Sequence, residues 1–327
     1  EAPWAEAPPQ QPAGRGEAAA QAGFVPAALA SITLGVLSVV PYNMILKRDP
    51  GSPLFISFVL HVVVVGASLP RAGELLRGRR IPLAYHAVMV LLGCLFTTLK
   101  SDAYVRLPAP VCLLLSNLRM LVGVVVQAAL FGKRHSASQL CGVAVVTFGI
   151  AWASNATQPA GSQPHPGGPG SSDFAVGVVE VLLSTLSLSL LSSLVKVAFA
   201  RFGESVEEQI FVQHLCSLPL VFPSQWDKVG PRLWDWAAGQ DAWLILNLAA
   251  SVLLTFGARS AAAQMAGRAP SLLTAQLVQT LECFLQLLVV ALLRAPPLPP
   301  AGFWLGTAAL VAGSLQYLRA SAAPPGG

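Results

Sequence analysis

"LLLSNLRMLVGVVVQAALF" (113–131) is apolar almost throughout, yet Ser116, Asn117, Arg119 and Gln127 stand inside it. Its length approaches the about 20 apolar residues that a membrane-crossing helix needs. A charged side chain at the centre of a bilayer costs about 2.5–3.5 kcal/mol on insertion scales, so Arg119 has to serve a purpose there. At helical spacing Cys112, Ser116, Arg119, Gly123 and Gln127 fall on one face. The stretch therefore reads as a transmembrane helix with one polar face, turned toward protein or water.

The rest of the chain agrees. It is 54% hydrophobic and 11% charged, against about 25% charged in a soluble domain, and its mean hydropathy is +0.63. The spacing predicts ten apolar spans, at 24–46, 53–70, 82–104, 108–131, 137–154, 174–199, 206–224, 242–261, 270–293 and 301–319. The fold class is accordingly all-α, a polytopic membrane protein in contact with lipid. The net charge of +5 resides in loops, where basic residues set topology, and is no sign of nucleic-acid binding. Five cysteines fall inside apolar runs without CxxC or Cys/His spacing, which speaks against a disulfide framework or a zinc site. Walker and HExxH patterns are missing, so the sequence points to no cofactor, no enzyme and no ATP-driven pump.

Two soft segments frame the spans. Residues 1–22 have the composition of a disordered tail, and 155–173 that of a linker dividing the spans five and five (23–154 and 174–320), with a short tail at 321–327. The halves resemble each other: "LPAPVCLLLSNLRMLVG" and "GRAPSLLTAQLVQTLEC" each run from an Ala-Pro start into a polar-dotted helix. An odd number of spans per repeat inverts one repeat against the other, the arrangement of secondary transporters with a site between the halves. With the N-terminus cytosolic, ten loop cations lie on the cytosolic side and six opposite, which places both termini in the cytosol. The linker, with its Asn155-Ala156-Thr157 sequon, then faces the lumen.

The polar residues inside the spans are the candidate site. Arg119 and Glu282 sit halfway along spans 4 and 9, and Gln279, Glu282 and Gln286 share a face. Thr185, Ser189, Ser192 and Lys196 line a face of span 6. Three such stripes suggest a water-filled cavity, with polar glue between helices as the alternative. Lys100, Asp102, Lys196 and Arg259 lie nearer span ends, where they either enter that cavity or reach the headgroups. Buried cations suit an anionic solute, and arginine offers phosphate a planar fork of donors.

"GRRIPLAYHAVMV" (78–90), "GKRHSASQLCGVAVVTFGI" (132–150), "ARFGESVEEQIFVQHLCSLPLVF" (200–222) and "FWLGTAALVAGSLQYL" (303–318) resemble nucleotide-sugar transporters of solute carrier family 35. The closest branch is the one carrying UDP-N-acetylglucosamine and UDP-xylose. The resemblance covers 24–320. It implies the ten-helix drug/metabolite transporter fold, a Golgi or endoplasmic reticulum membrane, and exchange of a cytosolic nucleotide sugar for nucleoside monophosphate. Where that branch carries a Gln-Glu pair in span 6 this chain has Val195-Lys196, and where it carries Arg-Lys in span 9 this chain has Glu282-Cys283. The doubly inverted charge predicts that Lys196 and Glu282 face one another across the cavity. Span 4 is similar instead to GDP-mannose, UDP-galactose and CMP-sialic acid carriers.

From pattern and resemblance together, Arg119 is expected on the diphosphate, helped by Lys196, Lys100 and Arg259. Asn117, Gln279, Gln286 and His214 are expected to hydrogen-bond base and sugar, near Glu282. Tyr104 and Tyr42 either stack on the base or belong to the aromatic belt of the interface. A phosphate-ester translocator of the same fold and a non-transporting membrane subunit are the rival readings, and a homodimer is one assembly open to the chain.

Overall fold

The computed structural model describes residues 16–107, 109–132, 135–157, 171–239, 241–269, 272–293 and 300–322. These residues are helical or in short connections, with no strand among them. In chain order the helices are α1 (Gly16–Arg48), α2 (Pro53–Ser68), α3 (Ala72–Arg77), α4 (Leu83–Arg106), α5 (Ala109–Ser116), α6 (Arg119–Phe131), α7 (Ala137–Thr157), α8 (Ser171–Phe202), α9 (Val206–Val221), α10 (Trp226–Gly239), α11 (Ala242–Arg268), α12 (Leu272–Leu293) and α13 (Ala301–Ala322). Six stretches are long and apolar enough to cross a membrane: Gly23–Arg48, Pro53–Arg77, Leu83–Arg106, Ser172–Phe202, Ala242–Arg268 and Thr274–Leu293.

Local chemistry sets the boundaries. Asp241 caps α11 by accepting from the amides of Trp243 and Leu244. Pro53 opens α2 at its first position, where no amide hydrogen is needed. Gly132 (φ 58°) ends α6, and Gly203 (φ 90°) turns the chain between α8 and α9, conformations that side chains resist. Three features depart from the sequence reading. α1 starts at Gly16, inside the stretch read as a tail, and α7 runs through Asn155–Thr157, so the sequon stands in a last helical turn. Most of the linker, 158–170, lies outside the described residues. Span 4 is not one helix: it breaks between α5 and α6 at Asn117–Leu118, beside Arg119.

Helix packing follows small residues. α7 and α13 lie against each other backbone to backbone, and a Cβ on Gly142 would come within 2.9 Å of the Gly313 carbonyl. A Cβ on Gly149 would come within 2.6 Å of the Gly306 carbonyl. The other main pairs are α1 with α11 and α12, α4 with α8 and α9, α2 with α9 and α11, α6 with α8, and α12 with α5 and α6. These helices surround a polar interior. At one end Glu208 fastens the two halves, accepting from the amides of Arg80 (3.0 Å) and Ile81 (3.1 Å), from Ser205 Oγ (2.9 Å) and sharing a hydrogen with His86 Nε2 (2.9 Å). At the other end amphipathic α10 lies across the opening. Its Lys228 reaches Asp102 (3.1 Å) and its Arg232 reaches Asp49 (3.1 Å), while Arg106 meets Glu180 (3.2 Å).

Candidate substrate site

Between those ends lie two adjoining cavities of about 160 and 140 Å³. The first is lined by Ser38 and Tyr42 of α1, Ser57 of α2, Phe96, Thr97, Lys100, Ser101 and Tyr104 of α4, Ser251, Thr255 and Arg259 of α11, and Gln286 of α12. The second continues past Phe96, Thr97 and Arg259 to His61, Ser192, Gln209, Gln213, His214 and Gln279. Three- and four-residue spacings put these polar groups on inward faces: 97, 101 and 104 on α4, or 251, 255 and 259 on α11. Among the described residues, two cations line the walls and no carboxylate does.

Lys100 Nζ lies 5.3 Å from the Phe96 ring centre and 5.9 Å from that of Tyr104, within cation–π range. Arg259 contacts His214 Nε2 through Nη1 at 3.3 Å. The other ring nitrogen of His214 lies 2.8 Å from the Ile210 carbonyl, which only accepts, so that nitrogen carries the hydrogen and Nε2 offers its lone pair to arginine. His61 repeats this geometry, Nδ1 2.6 Å from the Ser57 carbonyl, and its ring sits 4.6 Å from that of His214. Neither cation has a carboxylate at ion-pair distance among the described residues, a costly arrangement in a membrane-embedded cavity, retained where an anion is bound. Tyr42 and Tyr104 meet edge to face at 5.6 Å on the cavity wall, which removes them from the aromatic belt.

The span-4 stripe is buried as the spacing predicts, but it faces α12 rather than the cavities. Arg119 Nη1 donates to Gln279 Oε1 (2.9 Å), and its Nε has no partner. Gly123 lets the Gln276 amide approach so closely that a Cβ there would collide with it. Asn117 donates to the Leu113 carbonyl (3.0 Å), leaving Oδ1 unpartnered.

Lys196 and Glu282 do not face one another. Glu282 accepts from Ser31 Oγ of α1 (2.9 Å) and from Gln286 Nε2 (3.3 Å), and packs against Gly35. Lys196 donates to the Ala269 carbonyl (2.8 Å), before α12 begins, and ten residues of helix at about 1.5 Å each then separate that point from Glu282. Gln286 also donates to the Gly35 carbonyl (3.0 Å), tying α12 to α1 at the cavity edge.

The sequence reading anticipates Ser192 on the wall but not His61 or the other small hydroxyl residues there. A signal for His61 exists: "SFVLH" (57–61) returns as "IFVQH" (210–214). Comparison with known proteins fits this architecture. Residues 24–321 match the UAA transporter family, whose members are nucleotide-sugar transporters. The chain belongs to the UAA transporter family. It is a multi-pass membrane transporter and not an enzyme. A Dictyostelium discoideum protein named UDP-N-acetylglucosamine transporter slc35b4 is 26% identical over 148 residues, 44% of this chain and 42% of that protein. The matched region spans less than half of that relative. A solved crystal structure, of a protein otherwise undescribed, shares the fold with a TM-score of 0.60 at 18% identity, covering 92% of this chain and 98% of the other.

Proposed function

We propose that this UAA-family member is a nucleotide-sugar antiporter, built from two inverted five-helix repeats (23–154 and 174–320) joined by a lumenal linker. It carries a cytosolic nucleotide sugar, UDP-N-acetylglucosamine or UDP-xylose, into the Golgi or endoplasmic reticulum lumen in exchange for nucleoside monophosphate. The observation that carries this reading is the cavity whose described lining holds two cations, Lys100 and Arg259, and no carboxylate. Such a site favours phosphate. The repeat organisation is supported by the helix pairs. Exchanging α1 with α8, α2 with α9, α4 with α11, α5–α6 with α12 and α7 with α13 maps the main pairs onto one another. The name of the partial Dictyostelium relative favours a UDP sugar.

Contacts join the halves at both ends, at Glu208 and at α10, and alternating access would break one set while the other holds. In this reading the Glu208 end faces the cytosol and α10 the lumen. The test is exchange in proteoliposomes loaded with UMP, challenged with labelled UDP-N-acetylglucosamine, UDP-xylose, GDP-mannose, CMP-sialic acid and triose phosphate. UDP sugars are expected to enter fastest. Entry of triose phosphate with no nucleotide sugar would make the protein a phosphate-ester translocator, and folded protein that exchanges nothing would make it a non-transporting subunit.

A further inference from the structure

The cavity cations are not two independent accidents. Lys100 and Arg259 each precede a serine, and each stands nine or ten residues before an Ala-Pro pair, at 109–110 and 269–270 respectively. His61 and His214 are each the ninth residue of a sixteen-residue helix, α2 and α9. Arg119 and Gln279 each follow the alanine of their Ala-Pro pair by ten residues. Two pairs of positions thus correspond between the halves, His61 with His214 and Arg119 with Gln279, while Lys100 and Arg259 lie one residue out of register with each other.

Both pairs touch: the histidine rings at 4.6 Å, and Arg119 with Gln279 at 2.9 Å. When corresponding positions of two repeats meet, the axis relating the repeats passes between them. The axis therefore runs between His61 and His214 and between Arg119 and Gln279. Lys100 and Arg259, one from each half and one residue out of register, both line the first cavity.

We infer that Lys100 and Arg259 form a two-cation clamp, one cation from each repeat, that holds the pyrophosphate of the substrate on the axis between the halves. This rests on the nucleotide-sugar reading above and specifies which part of the substrate is bound where. The pyrophosphate presents two adjacent anionic groups, matching one point charge on a flexible stem and one planar fork. Neutral His214 orients the fork without neutralising it, and no wall carboxylate competes. Tyr42 and Tyr104 flank the lysine end of the clamp, where a base joined to the phosphates through its ribose finds an aromatic surface. Because each half supplies one cation, the bound phosphates stay between the halves whichever end opens. Arg119, held by Gln279, is not part of the clamp.

The first measurement is inorganic pyrophosphate binding to purified protein in detergent, followed by thermal shift. Pyrophosphate is expected to raise the Tm of the wild type. Lys100→Gln and Arg259→Gln are each expected to weaken that response about 10–100-fold in pyrophosphate concentration, as loss of a charge-assisted contact of about 1.5–3 kcal/mol implies. The double swap Lys100→Arg/Arg259→Lys restores binding to within about threefold of wild type, since both cations line one cavity and the summed charge is kept. A response in Lys100→Gln and Arg259→Gln equal to wild type overturns the clamp. So does a folded double swap as weak as Arg259→Gln. Exchange of UDP sugars is measured on the same preparations. Wild type that binds pyrophosphate but exchanges no nucleotide sugar refutes the substrate and leaves the clamp standing; wild type that exchanges UDP sugars with unchanged KM in both single variants refutes the clamp and leaves the substrate standing.

Discussion

Glu208→Gln removes a single charge from the end of the molecule where the halves are fastened, and the cost follows from the geometry. The Glu208 side chain is 2% exposed. Its Oε1 faces the Ile81 amide and His86 Nε2, and its Oε2 faces the Arg80 amide and Ser205 Oγ. In glutamine one oxygen becomes an amino group. Ser205 can turn its hydroxyl and His86 can change tautomer, but a backbone amide cannot accept, so either orientation orphans the amide of Ile81 or of Arg80. An orphaned donor costs about 1–3 kcal/mol, and the surviving bonds lose their charge assistance. A destabilisation of roughly 2–3 kcal/mol corresponds to about 5–10 °C in Tm, taking the 2–4 °C per kcal/mol of larger domains. Thermal unfolding of purified wild type and variant in one detergent measures it. Because residues 80–86 and 205–208 belong to opposite halves, that end also opens more readily in the variant, which cysteine accessibility at Ser205→Cys reports. A Tm within about 1 °C of wild type would refute the claim that Glu208 is the fastening group.

The opposite end offers a reciprocal test. Asp102→Lys or Lys228→Asp alone costs under about 1 kcal/mol of stability, as exposed pairs do, but slows exchange, and the double reversal restores it; a double variant no faster than the singles rules out the latch. Tyr104→Phe keeps KM for UDP sugars within about twofold, whereas Tyr104→Ala raises it by about tenfold or more, from the 1–3 kcal/mol of base stacking; equal effects of both place the hydroxyl, not the ring, against the ligand. Gly149→Val overpacks α7 against α13 by about 1–3 kcal/mol or more and is expected to lose its monodisperse peak in size exclusion, while Gly66→Ala, with nothing within 4 Å of its Cβ, stays as wild type.

Much of this molecule was legible as pattern. Apolar length announced the membrane, and helical spacing put Ser116, Arg119, Gly123 and Gln127 on one buried face. What pattern does not carry is the identity of the neighbour. Glu282 and Lys196 looked like partners because both depart in sign from similar sequences, yet a third helix decided the matter: Ser31 of α1 comes within 2.9 Å of the carboxylate. α10 escaped notice because Trp226, Val229, Leu233 and Trp236 alternate with charges over a stretch too short and polar to span a bilayer.

Arg119 shows most clearly how the missing information was nevertheless latent. Periodicity identifies its face but leaves open whether that face meets water, lipid or protein. The packing of α6 on α12 closes the question, because it sets Gln279 2.9 Å from the guanidinium, so a side chain at 119 is answered by whatever stands at 279. Two arginines there would repel each other in a medium that screens them poorly. A glutamine accepts the guanidinium hydrogen bond without adding charge. The polar residue that stands out in the sequence is therefore a contact between α6 and α12, and in the proposed reading the ligand lies one helix over, at Lys100 and Arg259.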